Sequence, residues 1–426
     1  MTSISVRDQI WPATMARIDG ELHIGGLGVR ALAAEFGTAL YVLDEADFHA
    51  RCQAWTAAFP DGEVHYGGKA FLAPAVVRWL AELGLCLDVC SGGELAVARV
   101  SGMPPERVVF HGNNKSVAEI RQAVQWGVGC VVLDSLQELE RVREAAQACG
   151  RRQRVMVRVK PGVDADTHAA LATGGERTKF GLSIVSGEAD AAVRRVLAEP
   201  GLELIGLHSH IGSQIFELDS FAVAAQRMVA FLRRVESETG AVIGRLDLGG
   251  GLGVRYLPGE KPAPTPGDLA DVLRAVVPDD IHVSVEPGRS IVAPTTVAVY
   301  EVGTVKGRFA AIDGGMSDNP RPATYGALYT AVLASRAGSA ETRPMTVVGK
   351  HCESGDLLIE DVELPADLAP GDLLAVPCSG AYQRSTASNY NLVARPPVVA
   401  VKENAAHVVV RRETEEDLLR LYPEVS

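Results

Sequence analysis

From about residue 45 onward, short apolar runs rich in β-branched residues alternate with segments whose apolar positions recur at the helical period. The runs fall at residues 64–66, 86–89, 108–110, 130–133, 155–159, 204–210, 246–248 and 283–286. Strands that are apolar on both faces are what a parallel sheet covered by helices requires. Repeated in this rhythm, they predict an α/β unit over residues 45–292, a (β/α)8 barrel. The punctuation agrees. Pro74 suits the first turn of a helix that stops before Gly84, and Ser116 with Glu119 three residues on is a capping box for a helix over 118–126.

After Ile291 the rhythm stops. Residues 297–302, 309–312, 345–348, 373–376, 398–401 and 408–410 read as strands, with turns at Asp313-Gly314-Gly315 and Pro370-Gly371-Asp372. They predict a second, all-β domain over 293–426, an antiparallel β-barrel or sandwich. Residues 1–44 hold similar strands at 21–24 and 39–43 and are assigned to the same domain, which leaves the barrel inserted between its halves. The proline-rich stretch 258–266 is expected to be a surface loop.

A chain of 426 residues is long for one core, which fits two domains. The formal net charge of −12 argues against a nucleic-acid or anionic-membrane surface. No apolar run reaches the roughly 18 residues of a membrane span, and Arg7, Asp8 and Pro12 interrupt any apolar block near the start. A cytoplasmic location is therefore expected. The cysteines number seven and show no regular pairing. Cys86 and Cys90 have a zinc-like separation without a matching second pair, so they are expected to be buried free thiols and no metal is assigned.

Four stretches carry candidate chemistry. Tyr66-Gly67-Gly68-Lys69 ends a strand on a lysine, either a solvated residue in a turn or an amine tuned to form a Schiff base. Asp247-Leu248-Gly249-Gly250-Gly251-Leu252-Gly253 is a tight turn or a nest of amides for phosphate; Val254 stands where a dinucleotide fingerprint needs glycine. His208 and His210 share a face at period two, as a metal pair or as an aromatic face for a planar cofactor with Ser213 holding an anion. Glu286-Pro287-Gly288-Arg289 ends the eighth strand, as a plain ion pair or with Glu286 keeping a pyridinium nitrogen protonated.

Together with Cys352-Glu353-Ser354-Gly355-Asp356 and Gly380-Ala381-Tyr382, these fragments stand in the order found in fold-type III pyridoxal-phosphate decarboxylases. The chain most resembles their diaminopimelate decarboxylase branch, from about Trp11 to Leu419. Wording typical of that branch includes His111-Gly112-Asn113-Asn114-Lys115, Asp313-Gly314-Gly315-Met316-Ser317-Asp318 and Ser388-Asn389-Tyr390-Asn391.

The resemblance implies pyridoxal 5'-phosphate as cofactor and decarboxylation of meso-2,6-diaminopimelate to L-lysine through an external aldimine and a quinonoid. It implies Lys69 as the Schiff-base lysine, His210 stacked on the ring and Glu286 at the ring nitrogen. Ser213, Gly250, Gly251, Gly288, Arg289 and Tyr382 would cradle the phosphate. Cys352 would return the proton to Cα. Arg289, Arg321, Tyr325 and Tyr382 would take the substrate, with Glu353 at its distal amine. The family's active sites are shared in a homodimer, which implies an ion pair from Lys179 to Asp356 of the partner.

Two departures stand out. The family more often has alanine at position 67, and the loop 173–178 lacks the family's more acidic character. They leave open a related decarboxylase acting on another or a modified amino acid. A non-catalytic cofactor carrier and a metal-dependent hydrolase built on His208 and His210 are the alternatives from other classes.

Overall fold

The computed structural model describes residues 9–163, 175 and 178–424, and separates into two compact units. Residues 173, 174, 176 and 177 of the expected mouth loop lie outside the described residues, as do Arg7 and Asp8.

The first unit, residues 52–253 and 264–288, is the barrel. Among its described residues eight parallel strands close on themselves, in the order Gln153–Lys160, Leu202–His208, Arg245–Asp247, His282–Val285, Glu63–Gly67, Cys86–Val89, Val108–Phe110 and Cys130–Leu133, the last pairing back to the first. All eight match the expected runs, most ends differing by no more than two residues. Full burial of Val108–Phe110 and Cys130–Leu133 explains why those runs are unbroken by polar residues. Between strands, Pro74–Glu82 begins with proline in its first turn, and Val117–Trp126 carries the expected Ser116/Glu119 capping box. A second box, Thr265 with Asp268, opens Pro266–Arg274, so the proline-rich loop ends as a helix start.

The strand expected over 204–210 ends at His208. One further bond, Ser209 N–H to the Asp247 carbonyl at 2.8 Å, continues the ladder before the chain leaves it. His210 thus lies beyond the strand rather than on its inner face.

The second unit, residues 9–51, 254–263 and 289–424, is mostly antiparallel. Its main sheet runs Leu357–Pro365, Thr342–Val348, Phe309–Ile312, Thr296–Lys306, Leu40–Asp44, Val398–Lys402, Ala405–Val410. Two pairings depart from the expected antiparallel pattern. Phe309–Ile312 runs parallel to Thr342–Val348, and Leu40–Asp44 parallel to Val398–Lys402. Parallel neighbours need a long crossover, and residues 313–341 supply one that also carries the short helix Arg321–Tyr325. Of the N-terminal strands, Leu40–Asp44 joins this sheet, whereas Ala16–Ile18, Glu21–Ile24 and Leu27–Gly28 form a sheet of their own. Leu22 and Ile24 pack with Leu40, Val42, Val297 and Val299 in one apolar core. No helix among the described residues is long and apolar enough to cross a membrane.

Candidate active site

Lys69 follows the strand Glu63–Gly67 by two residues and is solvent-accessible. Its turn is fastened on both sides. Gly67 N–H donates to the Pro287 carbonyl at 3.1 Å, and Gly68 N–H to the Asp88 carbonyl at 3.0 Å. A Cβ on Gly68 would come within 2.8 Å of that same carbonyl, so the second glycine is required by close approach. A Cβ on Gly67 would meet Gly288 Cα at 3.6 Å, ordinary contact. The amine's charge is felt by Asp88, Glu94 and His210.

Inside the barrel, strand ends bring together ionisable groups that apolar patterning does not announce. Glu286 lies 2.9 Å from His111 Nε2 and 3.3 Å from His208 Nε2, and His111 Nε2 lies 3.7 Å from Asp88. Burial alone would raise the Glu286 pKa; His111 and His208 outweigh it and hold the carboxyl well below the usual range. Burial pushes His208 down to about 4, whereas for His111 the charges of Asp88 and Glu286 overcome burial and raise it. Behind Glu286, burial and its negative charge push Asp247 up to about 7. His65 Nδ1 is 3.5 Å from Asp247, and its Nε2 is 3.2 Å from Glu63. His111, Asp88, Asp247 and His65 are given no role by the sequence; a histidine or aspartate inside an otherwise apolar parallel strand, or for His111 just past the end of one, is the available signal.

The loop bearing His111 is pinned by Lys115, which explains that signature. Its buried ammonium donates to the carbonyls of Gly112 and Val132 and to Glu138, each at 2.8 Å. Cys90 is exposed and Cys86 half-buried, contrary to the expectation of two buried thiols, because Cys90 lies just past its strand end.

The glycine run packs against backbone. A Cβ on Gly250 would stand 2.0 Å from the Glu286 carbonyl and one on Gly251 2.3 Å from the Gly212 carbonyl. The Gly250 N–H donates to His210 Nδ1 at 3.2 Å, which puts the imidazole proton on Nε2. Burial, with Lys69 and Arg158 nearby, lowers the His210 pKa well below its usual value and keeps the ring neutral. Among the described residues, His210 contributes no atom to a cluster of potential metal ligands with His208. The ligand atoms that do cluster with His208 belong to His111 and Glu286.

The second unit holds its own constellation. Arg289 and Arg321 are both buried. Arg289 Nη1 donates to Tyr256 Oη at 2.7 Å, and its guanidinium lies over the Tyr382 ring at 4.7 Å. Arg321 lies over Tyr256 at 4.7 Å and bonds the Tyr329 hydroxyl. Tyr256 and Tyr329 meet edge to face at 5.2 Å. Both tyrosines were missed in the sequence; Tyr256 sits just ahead of the supposed surface loop, inside the segment 254–263 that folds with this unit. Tyr325 is 43% exposed. Cys352 and Glu353 are exposed, on the loop after Thr342–Val348. Asp356 is instead buried, its carboxylate accepting from the backbone N–H groups of Met316 and His351. Within the chain, Asp356 is thus held by backbone amides, and Lys179 lies over the Phe180 ring at 5.0 Å.

The barrel groups fit a pyridoxal ring. Glu286 Oε1 is buried and makes no directed hydrogen bond among the described residues, although charge attracts it to His111. Such an oxygen suits a ring N–H, and a neutral His210 suits a planar face.

The comparisons agree. Residues 45–293 match the pyridoxal-dependent decarboxylases, in their pyridoxal binding domain. The chain is 50% identical to diaminopimelate decarboxylase of Mycobacterium tuberculosis, with 97% of each covered, and 41% identical to that of Bacillus subtilis, with 94% and 95% covered. The crystal structure of diaminopimelate decarboxylase from M. jannaschii in co-complex with L-lysine is similar at a TM-score of 0.89 and 33% identity, covering 95% of this chain and 96% of that one. The chain belongs to the diaminopimelate decarboxylase family of the pyridoxal-dependent decarboxylases.

Proposed function

We infer that this chain converts meso-2,6-diaminopimelate to L-lysine and carbon dioxide with pyridoxal 5'-phosphate. The observation that carries it is Glu286, a buried carboxylate kept anionic by two imidazoles at a barrel mouth that also presents Lys69. When bound, pyridoxal phosphate supplies an aldehyde that links to amines and a ring that accepts the electron pair left at Cα when carbon dioxide departs.

The chain's own residues have separate tasks in this reading. The Lys69 amine would hold the cofactor through its aldehyde. Glu286 holds a proton at the ring nitrogen by offering a negative charge that burial would otherwise remove. His210 is kept neutral by burial and by the nearby charges of Lys69 and Arg158, and with its Nδ1 accepting from Gly250 it presents a flat face without repelling a protonated ring. Ser213 and the amides of Gly250, Gly251, Gly288 and Arg289, with Tyr382, would hold the phosphate. Cys352 returns a proton to Cα, and its exposure suits that task if the loop enters the barrel of a second copy. Arg289, Arg321, Tyr325 and Glu353 would answer the charges of the substrate. Homodimers with shared sites, and a cytoplasmic location, belong to the same proposal.

The test is an absorbance spectrum of the purified holoenzyme for the visible band of a pyridoxal imine, followed by borohydride trapping, peptide mapping, and a substrate panel of meso-diaminopimelate, ornithine and lysine. The label is expected on Lys69 and L-lysine as product. A label on another amine, or carbon dioxide released faster from ornithine, would refute the assignment.

A further inference from the structure

The loop carrying Cys352 and Glu353 is held by two other stretches of the second unit, and the three meet at His351. Asp356 closes the base of the loop. Its carboxylate accepts from Met316 N–H at 2.6 Å and from His351 N–H at 2.9 Å, while Gly349 N–H donates to the Asp356 carbonyl at 2.9 Å. A Cβ on Gly349 would stand 2.1 Å from that carboxylate, so the closure admits no side chain there.

The imidazole of His351 makes the lateral connection. It is 8% exposed, with Nε2 at 2.8 Å from Ser317 Oγ and Nδ1 at 3.0 Å from Asn391 Oδ1. Asn391 Oδ1 only accepts, so in the neutral ring Nδ1 carries the proton and Nε2 accepts from the Ser317 hydroxyl. The Tyr390 ring lies 5.2 Å from the imidazole, and Ser388 N–H donates to the Ser317 carbonyl at 2.8 Å. Asn391 and Leu392 both take left-handed backbone, at φ +52° and +56°, which folds the 388–392 segment back toward the ring. Three motifs far apart in sequence thus converge on one side chain.

We propose that His351 is a positioning residue for Cys352: by bonding Ser317 on one side and Asn391 on the other, its imidazole fixes the direction in which the adjacent thiol is presented. Asp356 already closes the loop through backbone amides. Loss of the imidazole therefore leaves the loop folded and frees the Cys352 side to shift. The kinetic arm of the test rests on the decarboxylase reading; the labelling arm does not.

The experiment compares the full-length holoenzyme with its His351→Leu and Ser317→Ala variants. Iodoacetamide labelling, read by peptide mapping, gives the rate at Cys352 relative to Cys90, the exposed thiol of the barrel unit, and at buried Cys378 as a control for unfolding. With hydrogen bonds lost, the Cys352-to-Cys90 ratio is expected to change about fivefold in His351→Leu and less in Ser317→Ala. In the same variant kcat should fall by a similar factor while KM stays within about twofold, and His351→Gln should recover part of both. A ratio and a kcat unchanged from wild type overturn the proposal. So does labelling of Cys378, which would make the imidazole a support of the whole unit. Should His351→Leu fail to fold, Ser317→Ala decides by the same two readings. A shifted ratio in a protein whose wild type forms no lysine would overturn the decarboxylase reading and leave this one standing.

Discussion

Glu286 Oε1 lies 2.9 Å from His111 Nε2, both side chains buried, and each moves the other's protonation in the direction that charges both. The pair joins the ends of two barrel strands, His282–Val285 and Val108–Phe110. Glu286→Gln keeps the shape and removes the charge. Turnover is expected to fall by roughly 10²–10³, the usual cost of deleting a preorganised electrostatic partner. In the cofactor-free protein the imidazole ¹⁵N titration of His111 should move down, since only Asp88 and the more weakly acting Asp247 then oppose burial. A loss under tenfold with an unmoved His111 would show that the carboxylate is a bystander.

The three buried groups divide the pH axis between them. His208 is neutral when folded down to about pH 4 and ordinarily protonates near 6.5, so acidification from 6.5 to 4 loads a proton on the unfolded chain first and costs stability, at most about 3 kcal/mol. Glu286, depressed in the fold, stabilises above the ordinary carboxylate range near 4.3 and loses that contribution only as pH falls further, through its lowered value. His111, raised in the fold, stabilises fully below about 6.5 and loses that contribution as pH rises through its elevated value. Urea midpoints at pH 4.5, 6.5 and 8.5 should therefore show His208→Gln flattening the acid limb and His111→Gln the alkaline limb. Equal slopes in both variants would refute the division.

Arg321 is gripped by two tyrosines, with its guanidinium over Tyr256 and bonded to the Tyr329 hydroxyl. If it binds a distal carboxylate, Tyr329→Phe should raise KM for meso-diaminopimelate about fivefold with little change in kcat, the cost of one lost hydrogen bond in orienting the fork. Arg321→Ala should raise KM far more and narrow the preference over lysine, which lacks that carboxylate. Steady-state kinetics on both substrates check it, and an unchanged preference in Arg321→Ala would remove Arg321 from recognition.

What was legible in the sequence follows from how each part is stabilised. Barrel strands such as Cys130–Leu133 are buried on both faces, so their apolar runs mark them almost to the residue. Leu357–Pro365 was missed because Glu360, Asp361 and Glu363 break its run, and Asp361 adopts φ +52° inside it. The Arg289–Tyr256–Arg321–Tyr329 cluster has no local periodicity at all, since its members come from three segments that only tertiary folding unites. Motif matching could name Asp356 but not its burial; the Met316 and His351 amides that claim its carboxylate lie 40 and five residues away.

The glycines before Lys69 are unequal, and their difference bears on the departure at position 67. Gly67 is not in the left-handed region, and a Cβ there would sit 3.6 Å from Gly288 Cα and 3.8 Å from Asp88 Oδ2, both ordinary contacts. Gly67→Ala thus costs no packing and removes freedom from the unfolded chain, a gain of about 0.4–1 kcal/mol. A Cβ on Gly68 would lie 2.8 Å from the Asp88 carbonyl, the acceptor of the bond that Gly68 itself donates, so one strand or the turn must move. Gly68→Ala is expected to cost about 1–3 kcal/mol and to displace Lys69 by shifting the backbone one residue before it. Thermal unfolding of the two variants, with the rate at which each takes up added pyridoxal phosphate, separates them: Gly67→Ala should melt at or above wild type and load normally, Gly68→Ala should melt lower and load slowly. The reverse order would mean that the turn before Lys69 is shaped by Gly67, and that glycine at this position is a requirement of the fold here rather than a tolerated alternative to alanine.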